Sequence, residues 1–533
     1  MSLSDVQAAR GHEALRTCPT RLLVLSLVVA VQVVAGCEIG STNSDHGSAR
    51  TLTGRIEGAS YVIDVPASWN GVLLLYSHGG GALVASPPAE DAIDAGTASY
   101  FMRQGYALAG SSFRSSGWFV EDAIADDIAL LGEFRRLVGH PTRTIAWGAS
   151  LGGMVTLGLA ERPQTSIDGA LPLCGVVADA VPFWNQNLDA AFAFKVLFAQ
   201  DDPQIQVTGG DPSTTAGEHA RSLLQTATTT RIGRARTALV AALREIPVQG
   251  FRGAAGPGGT PLPVPTGLDA EDLRAGSLAG LLADALSNYF VNHPAMQQRA
   301  GGNPSSNDGV DYGKLLASSP DFGLVRDLYG AAGSSIEDDL ARLRQAPRIS
   351  AGPAAVAYVN RFVTFTGRPQ VPVITLHTVA DESTPAQLEE EYGAKVRRTG
   401  GPDRLRQLFV SRGAHCNFTT AEIAVALEVL LARIRTGKWG EADNLPALNA
   451  MSARIDARYW VPIRTTLVGG PTPHSYPSFV RFESIGLLRN AAQQVPKSSS
   501  TQPTLTPLIN SQRPVETSAT RAGIEATTVI AAG

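Results

Sequence analysis

Short apolar runs alternate with amphipathic stretches along most of this chain. Thr51–Ile56 and Ser60–Val65 alternate apolar and polar positions about Glu57-Gly58, which predicts a β-hairpin. Continuous apolar runs at Val72–Tyr76, Tyr106–Gly110, Thr144–Trp147 and Asp168–Leu173 read as strands buried on both faces. Between them, Ile124, Ile128, Leu131 and Phe134 recur at helical spacing within Glu121–Val138, and Leu151–Leu159 reads as a further helix. The alternation resumes at Val371–Leu376, continues through a helical 386–397 and a short run at Leu408–Val410, and ends in a strongly apolar helix over 421–435. Buried strands alternating with helices predict an α/β fold, a doubly wound and mostly parallel sheet.

The interruption between the two halves covers residues 176–370, 195 positions. A structureless loop of that length does not belong in a compact domain. Helical spacing at 217–245, 270–290 and 336–344 predicts a mainly helical inserted subdomain. Residues 51–175 and 371–440 then form the core, and 441–490 a C-terminal extension that packs back on it. The Ser-, Thr-, Pro- and Gln-rich 491–533 reads as a disordered tail.

Composition narrows the function. The chain has 533 residues, 44% hydrophobic and 17% charged, with a net charge of −4. It can bury a large core, and its basic residues are scattered, so nucleic acid is not an expected partner. Arg10, Arg16 and Arg21 precede an apolar run from Leu22 to Gly36, too short to span a bilayer comfortably and suited to the core of a signal peptide. Its end, Val34-Ala35-Gly36-Cys37, resembles the bacterial lipobox. That resemblance implies removal of 1–36, a lipid on Cys37, a flexible tether over 37–50 and an extracytoplasmic protein anchored to the cell envelope. An ordinary secretory signal is the alternative. There is no C-x-x-C pair and no H-E-x-x-H, so no metal site is expected.

The chemistry gathers at four places. Gly148-Ala149-Ser150-Leu151-Gly152 fits G-x-S-x-G, with a strand running in and a helix running out. A turn that tight strains Ser150 and stands its hydroxyl at a helix N-terminus. Serine needs a base, and His415 lies between the last predicted strand and the final helix. Asp381 follows the strand ending near Thr378 and is placed to orient an imidazole, with Glu382 next door as the competing choice. His377 is better read as packed within that strand. An oxyanion needs two donors: Leu151 N–H by position, and Gly80, or failing that Gly79, in His78-Gly79-Gly80-Gly81. Each feature also has a bland reading: a turn serine, a loop histidine, a helix-capping aspartate, a glycine-rich turn.

Together the elbow, the preceding His-Gly-Gly, the later aspartate and the final histidine resemble the α/β-hydrolase superfamily, over 51–175 and 371–440. The resemblance implies a Ser150–His415–Asp381 triad, an acyl-enzyme, no cofactor, and a lid where the insert falls between strands 6 and 7. Ser77-His78-Gly79, Ile145-Ala146-Trp147-Gly148 and His415-Cys416-Asn417-Phe418 are similar to segments of a group of bacterial secreted hydrolases. Cys416 adjoins the expected base and Cys174 ends the strand beside the elbow, so a disulfide is expected there, two buried free thiols being the alternative. Trp118, Phe119, Phe183 and Trp184 are candidates for an apolar substrate pocket, or for mere lid packing. The expectation is a serine hydrolase of small carboxylic esters. An amidase or peptidase with the same triad, a silent binding protein on this fold, and an insert that binds a polymer or partner are the rivals.

Overall fold

The computed structural model describes residues 48–80, 88–163, 165–246, 268–461, 463, 479–482, 484 and 486–489. The leader, Cys37, Gly81 and the tail 491–533 lie outside the described residues. β1 (Arg50–Ile56) and β2 (Ala59–Val65) pair antiparallel from Arg50↔Val65 to Ile56↔Ala59. Their turn holds Glu57 at φ 47° and Gly58 at φ 95°, a left-handed pair that matches the twist of a two-residue hairpin. There follow β3 (Val72–Ser77), α1 (Ala95–Arg103), β4 (Ala107–Ser111), α2 (Val120–Leu137), β5 (Arg143–Ala149), α3 (Leu151–Glu161) and β6 (Gly169–Leu173).

The segment after β6 is helical: α4 (Ala180–Phe198), α5 (Thr215–Ala227), α6 (Arg231–Arg244), α7 (Leu268–Ala300), α8 (Tyr312–Ala317), α9 (Phe322–Ala332), α10 (Ile336–Gln345) and α11 (Pro353–Val363). The chain then returns to β7 (Val373–Ala380), α12 (Gln387–Arg398), β8 (Leu405–Gly413), α13 (Thr420–Thr436), α14 (Leu445–Ala453) and β9 (Phe479–Val480). The sheet runs β1-β2-β4-β3-β5-β6-β7-β8-β9, and every pairing from β4 to β8 is parallel. β9 adds antiparallel to β8.

Two departures from the expected helices have local causes. The helical pattern at 217–245 is two helices, because Thr228 closes α5 and the Thr230 hydroxyl caps α6 by accepting from the Gly233 N–H. The pattern at 270–290 extends to Ala300 with Pro294 inside the helix. The core has α2, α3 and the insert on one face of the sheet, and α1, α13 and α14 on the other. No helix among the described residues is long and apolar enough to cross a membrane.

Candidate active site

The C-terminal ends of the parallel strands place the expected residues together. β5 ends at Ala149 and α3 starts at Leu151, leaving Ser150 at φ 59° and ψ −120°. A non-glycine residue there is strained, and it persists only where its surroundings hold it. The motif's glycines explain how. A Cβ on Gly152 would sit 1.9 Å from the Ser77 carbonyl oxygen, and one on Gly148 would sit 2.5 Å from it. The elbow is therefore pressed against the end of β3, which continues directly into His78, Gly79 and Gly80. A Cβ on Gly79 would lie 3.2 Å from the Ser150 Cβ, and Gly80 abuts the Leu151 side chain.

His415 stands in the β8–α13 loop. Its ring meets Ser150 Oγ at 2.8 Å through Nε2 and Asp381 Oδ2 at 2.8 Å through Nδ1. Asp381 has no N–H to give, so Nδ1 carries the proton and donates it, and Nε2 accepts from the serine hydroxyl. Asp381 Oδ1 accepts from the backbone N–H groups of Ser383 (2.9 Å) and Thr384 (2.7 Å). Burial pushes the Asp381 carboxyl up, but His415 and then His377 outweigh it and hold it below the ordinary carboxylate range. His377 is buried in β7, with Nδ1 3.0 Å from Glu389 and Nε2 2.8 Å from the Thr384 carbonyl. Burial pulls its pKa down, yet the Glu389 and Asp381 carboxylates leave it raised.

The histidine loop is closed from three sides. Arg412, at the end of β8, pairs with Glu422 in the first turn of α13 at 2.6 Å, buried. Glu422 also completes a capping box with Thr419. A disulfide joins Cys416 to Cys174, the residue after β6. Cys174, Cys416 and His415 would otherwise sit close enough for metal ligation, but a bonded pair of sulfurs has no thiolate to offer.

A cavity of about 570 Å³ opens over these groups. Ser150, His415, Gly79, Gly80 and Phe119 line it, with Asp284 and Asn288 contributed by α7 of the insert. Of the four aromatics expected to form a pocket, Phe119 alone faces this cavity. Trp118, Phe183 and Trp184 are buried in packing instead: the Trp184 ring lies 5.8 Å from Trp118 and 5.1 Å from Phe183. The Trp184 indole packs α4 against the Trp118 loop and α7, so the substrate-pocket expectation does not hold for these three, which belong to the core.

Two features were not legible in advance. Arg244 of α6 is fully buried, donates to the Ser383 carbonyl at 2.7 Å, and brings a cation from the insert beneath the Asp381 turn. Glu382 is buried and lines the cavity, its Oε1 accepting the His415 backbone N–H at 3.3 Å. Only its adjacency to Asp381 drew notice in the sequence.

No family model matches the chain. Over 443 residues it is 30% identical to the o-phthalyl amidase of Xanthobacter agilis, covering 76% of this chain and 92% of the amidase. Among solved structures it is similar to an esterase from Aspergillus oryzae, at 14% identity over 73% of this chain and 79% of that one, with a TM-score of 0.33. It is also similar to the rice cell wall degrading esterase LipA from Xanthomonas oryzae, at 12% identity over 71% of this chain and 85% of that one (TM-score 0.32). The acylaminoacyl peptidase of Pyrococcus horikoshii matches at 10% identity over 69% of this chain and 38% of the peptidase (TM-score 0.30). A serine elbow in this strand order defines a serine hydrolase of the α/β-hydrolase superfamily. Within that superfamily, the chain belongs to the family of the Xanthobacter amidase.

Proposed function

We propose that this enzyme hydrolyses small amides of aromatic acids through an acyl-enzyme on Ser150. The observation that carries the reading is the unbroken Ser150–His415–Asp381 hydrogen-bonded chain at the floor of a cavity. Ser150 Oγ attacks the scissile carbonyl as its proton passes to His415 Nε2. The oxyanion is held by the Leu151 N–H and the Gly80 N–H, Gly79 being the alternative donor. His415 returns the proton to the leaving nitrogen as the carbonyl–nitrogen bond breaks. Water then repeats the sequence on the acyl-enzyme and releases the acid. The name of the amidase relative supports the amide and the aromatic acyl group, and Phe119 supplies a ring in the cavity. The same machinery cleaves activated esters, whose leaving group needs less help from the acid, so the ester preference expected from the sequence stands as the second reading. The insert, through Asp284 and Asn288, serves as the lid. The protein works outside the cytoplasm, held by lipid on Cys37; palmitate labelling of whole cells, lost in Cys37→Ala, is the check on that part.

The test is fluorophosphonate labelling of the purified protein beside Ser150→Ala, with turnover of matched benzoyl anilide and phenyl ester. Labelling at Ser150 alone and measurable anilide cleavage support the proposal. A folded wild type that neither labels nor turns over either substrate defeats it.

A further inference from the structure

Glu382 has a carboxyl that the mechanism does not use. Its side chain is 2% exposed and faces the cavity that holds Ser150 and His415. One oxygen, Oε1, takes the His415 N–H, while Oε2 is buried with no hydrogen-bond partner. Charged and titratable groups approach it from several elements. Asp381 is its chain neighbour and His415 lies across the loop. Arg244 approaches from α6, directing its hydrogen bonds to Ser383 and Gln186. Asp284 on α7, which is ion-paired with Arg221 of α5, Glu90 before α1, Tyr76 of β3 and His78 just after β3 line the same cavity.

A second anion beside buried Asp381 is unfavourable. Burial, then the Asp381 charge, push the Glu382 carboxyl up to about 8, so it is a neutral acid near pH 7. The oxygen that accepts an N–H is then the carbonyl oxygen, which leaves the hydroxyl on Oε2. A buried hydroxyl without an acceptor costs free energy that a ligand can recover. A carboxylic acid kept neutral by its site is an effective donor.

Resting on the serine-hydrolase reading above, we propose that Glu382 is a specificity-determining residue. Its Oε2–H donates a hydrogen bond to an oxygen acceptor on the substrate's acyl group, separate from the scissile carbonyl. The preferred substrate class is therefore an aromatic acyl group bearing a second oxygen function.

The experiment compares kcat/KM for 4-nitrophenyl benzoate with its 3-acetyl, 4-acetyl, 3-carboxy and 4-carboxy derivatives. It uses wild type, Glu382→Gln and Glu382→Leu at pH 6.5 and 9.5, with Ser150 labelling of each variant to report a folded site. The readout is the ratio of substituted to plain substrate within each protein, so a general loss of rate does not enter. The wild type is expected to favour one oxygen-bearing substrate about tenfold at pH 6.5, through KM, and to lose that preference at pH 9.5 as Glu382 ionises. Glu382→Gln, which keeps a donor, is expected to hold the preference at both values, and Glu382→Leu to abolish it. An acetyl preference identifies a neutral acceptor and a carboxy preference an anionic one. Equal ratios in wild type and Glu382→Leu, or a wild type without preference, overturn the proposal. If Glu382→Leu does not label, the pH contrast between wild type and Glu382→Gln decides. Absence of labelling and turnover in the wild type would instead fail the underlying hydrolase reading.

Discussion

Cys174 and Cys416 are bonded to each other across 242 residues of chain, and both hold left-handed backbone, at φ 44° and 54°. With Ser150 at φ 59° and Ala414 at φ 70°, they make four strained positions where the strand ends meet. The bond spans from the residue after β6 to the residue after His415, so it ties the base to the rigid sheet. Removing a native disulfide typically costs about 2–5 kcal/mol. Cys174→Ala, Cys416→Ala double replacement is expected to lower Tm and to reduce kcat more than it raises KM. Thiol labelling mapped by peptide mass must first find neither Cys174 nor Cys416 free in the denatured wild type; free thiols at these two positions, or an unchanged kcat, would sink the idea.

Asp381→Asn should cost about 10⁴ in kcat, and the backbone says why. Oδ1 is held by the Ser383 and Thr384 N–H groups, so an asparagine must keep its oxygen there. Its amide nitrogen then faces His415 Nδ1, which must accept. The proton moves to Nε2, and the ring can no longer take one from Ser150. A loss below tenfold, with the fold intact by circular dichroism, would assign the orienting role elsewhere.

Gly152→Ala tests how tightly the elbow is pressed on β3. The added Cβ would meet the Ser77 carbonyl oxygen at 1.9 Å, a backbone atom that no rotamer change can move aside. The expected cost is at least about 1–3 kcal/mol, with slower Ser150 labelling, because the displaced strand end carries Gly79 and Gly80. Gly132→Ala, on the exposed face of α2 where a Cβ meets nothing, is the control and should stabilise by about 0.5–1 kcal/mol.

His293 gives a pH prediction with a definite sign. It is buried in the insert, with Nδ1 accepting from Gln297 at 2.7 Å and Nε2 2.9 Å from the Ser305 hydroxyl. Nε2 therefore carries the proton and donates it, so Ser305 has no base here. Burial pushes the His293 pKa down to about 3. The unfolded chain binds a proton on this residue below about 6.5 and the native state does not. The stability is present above pH 6.5 and drains away as pH falls toward 3. Between pH 7 and 5, the unfolding free energy of wild type minus His293→Gln should shrink by up to about 2 kcal/mol. A difference that stays constant over that range would contradict the neutral assignment.

The central strands β3 to β7 were legible because each carries an apolar run bounded by turn residues, whereas β8, with Arg406, Gln407 and Arg412 in it, showed only its middle. The serine elbow was legible because tight packing admits only small residues at 148 and 152. The insert was not read as fully. α4 is apolar nearly all round, since neighbours bury it on several sides, so it lacks the polar face that marks a helix boundary. The roles of Arg244 and Glu382 could not be read at all. Arg244 depends on a contact between α6 and the turn after β7, more than a hundred residues apart, and Glu382 on where the His415 loop and the cavity fall in the fold.

The C-terminal segment is anchored in the same region. Arg489 pairs with Asp189 of α4 at 2.9 Å, in the interior of the insert, and the Leu488 N–H donates to Glu245 beside Arg244. Breaking a buried pair from one side costs about 3–5 kcal/mol when the remaining charge is stranded. Asp189 has an escape, because burial, opposed by Arg489, already raises its carboxyl to about 7. Without Arg489 that value rises further, and the acid can take a proton. At pH 6 the carboxyl is largely neutral in both proteins and the arginine contributes little charge pairing. At pH 8.5 it is ionised in the wild type, and the variant must bury an unpaired anion or bind a proton at a cost. The penalty of Arg489→Ala should therefore grow with pH across this window, and chemical denaturation at the two pH values measures it. A penalty that is the same at both, or larger at pH 6, would show that Arg489 holds the segment by packing and by its hydrogen bond to the Ser306 carbonyl rather than by charge.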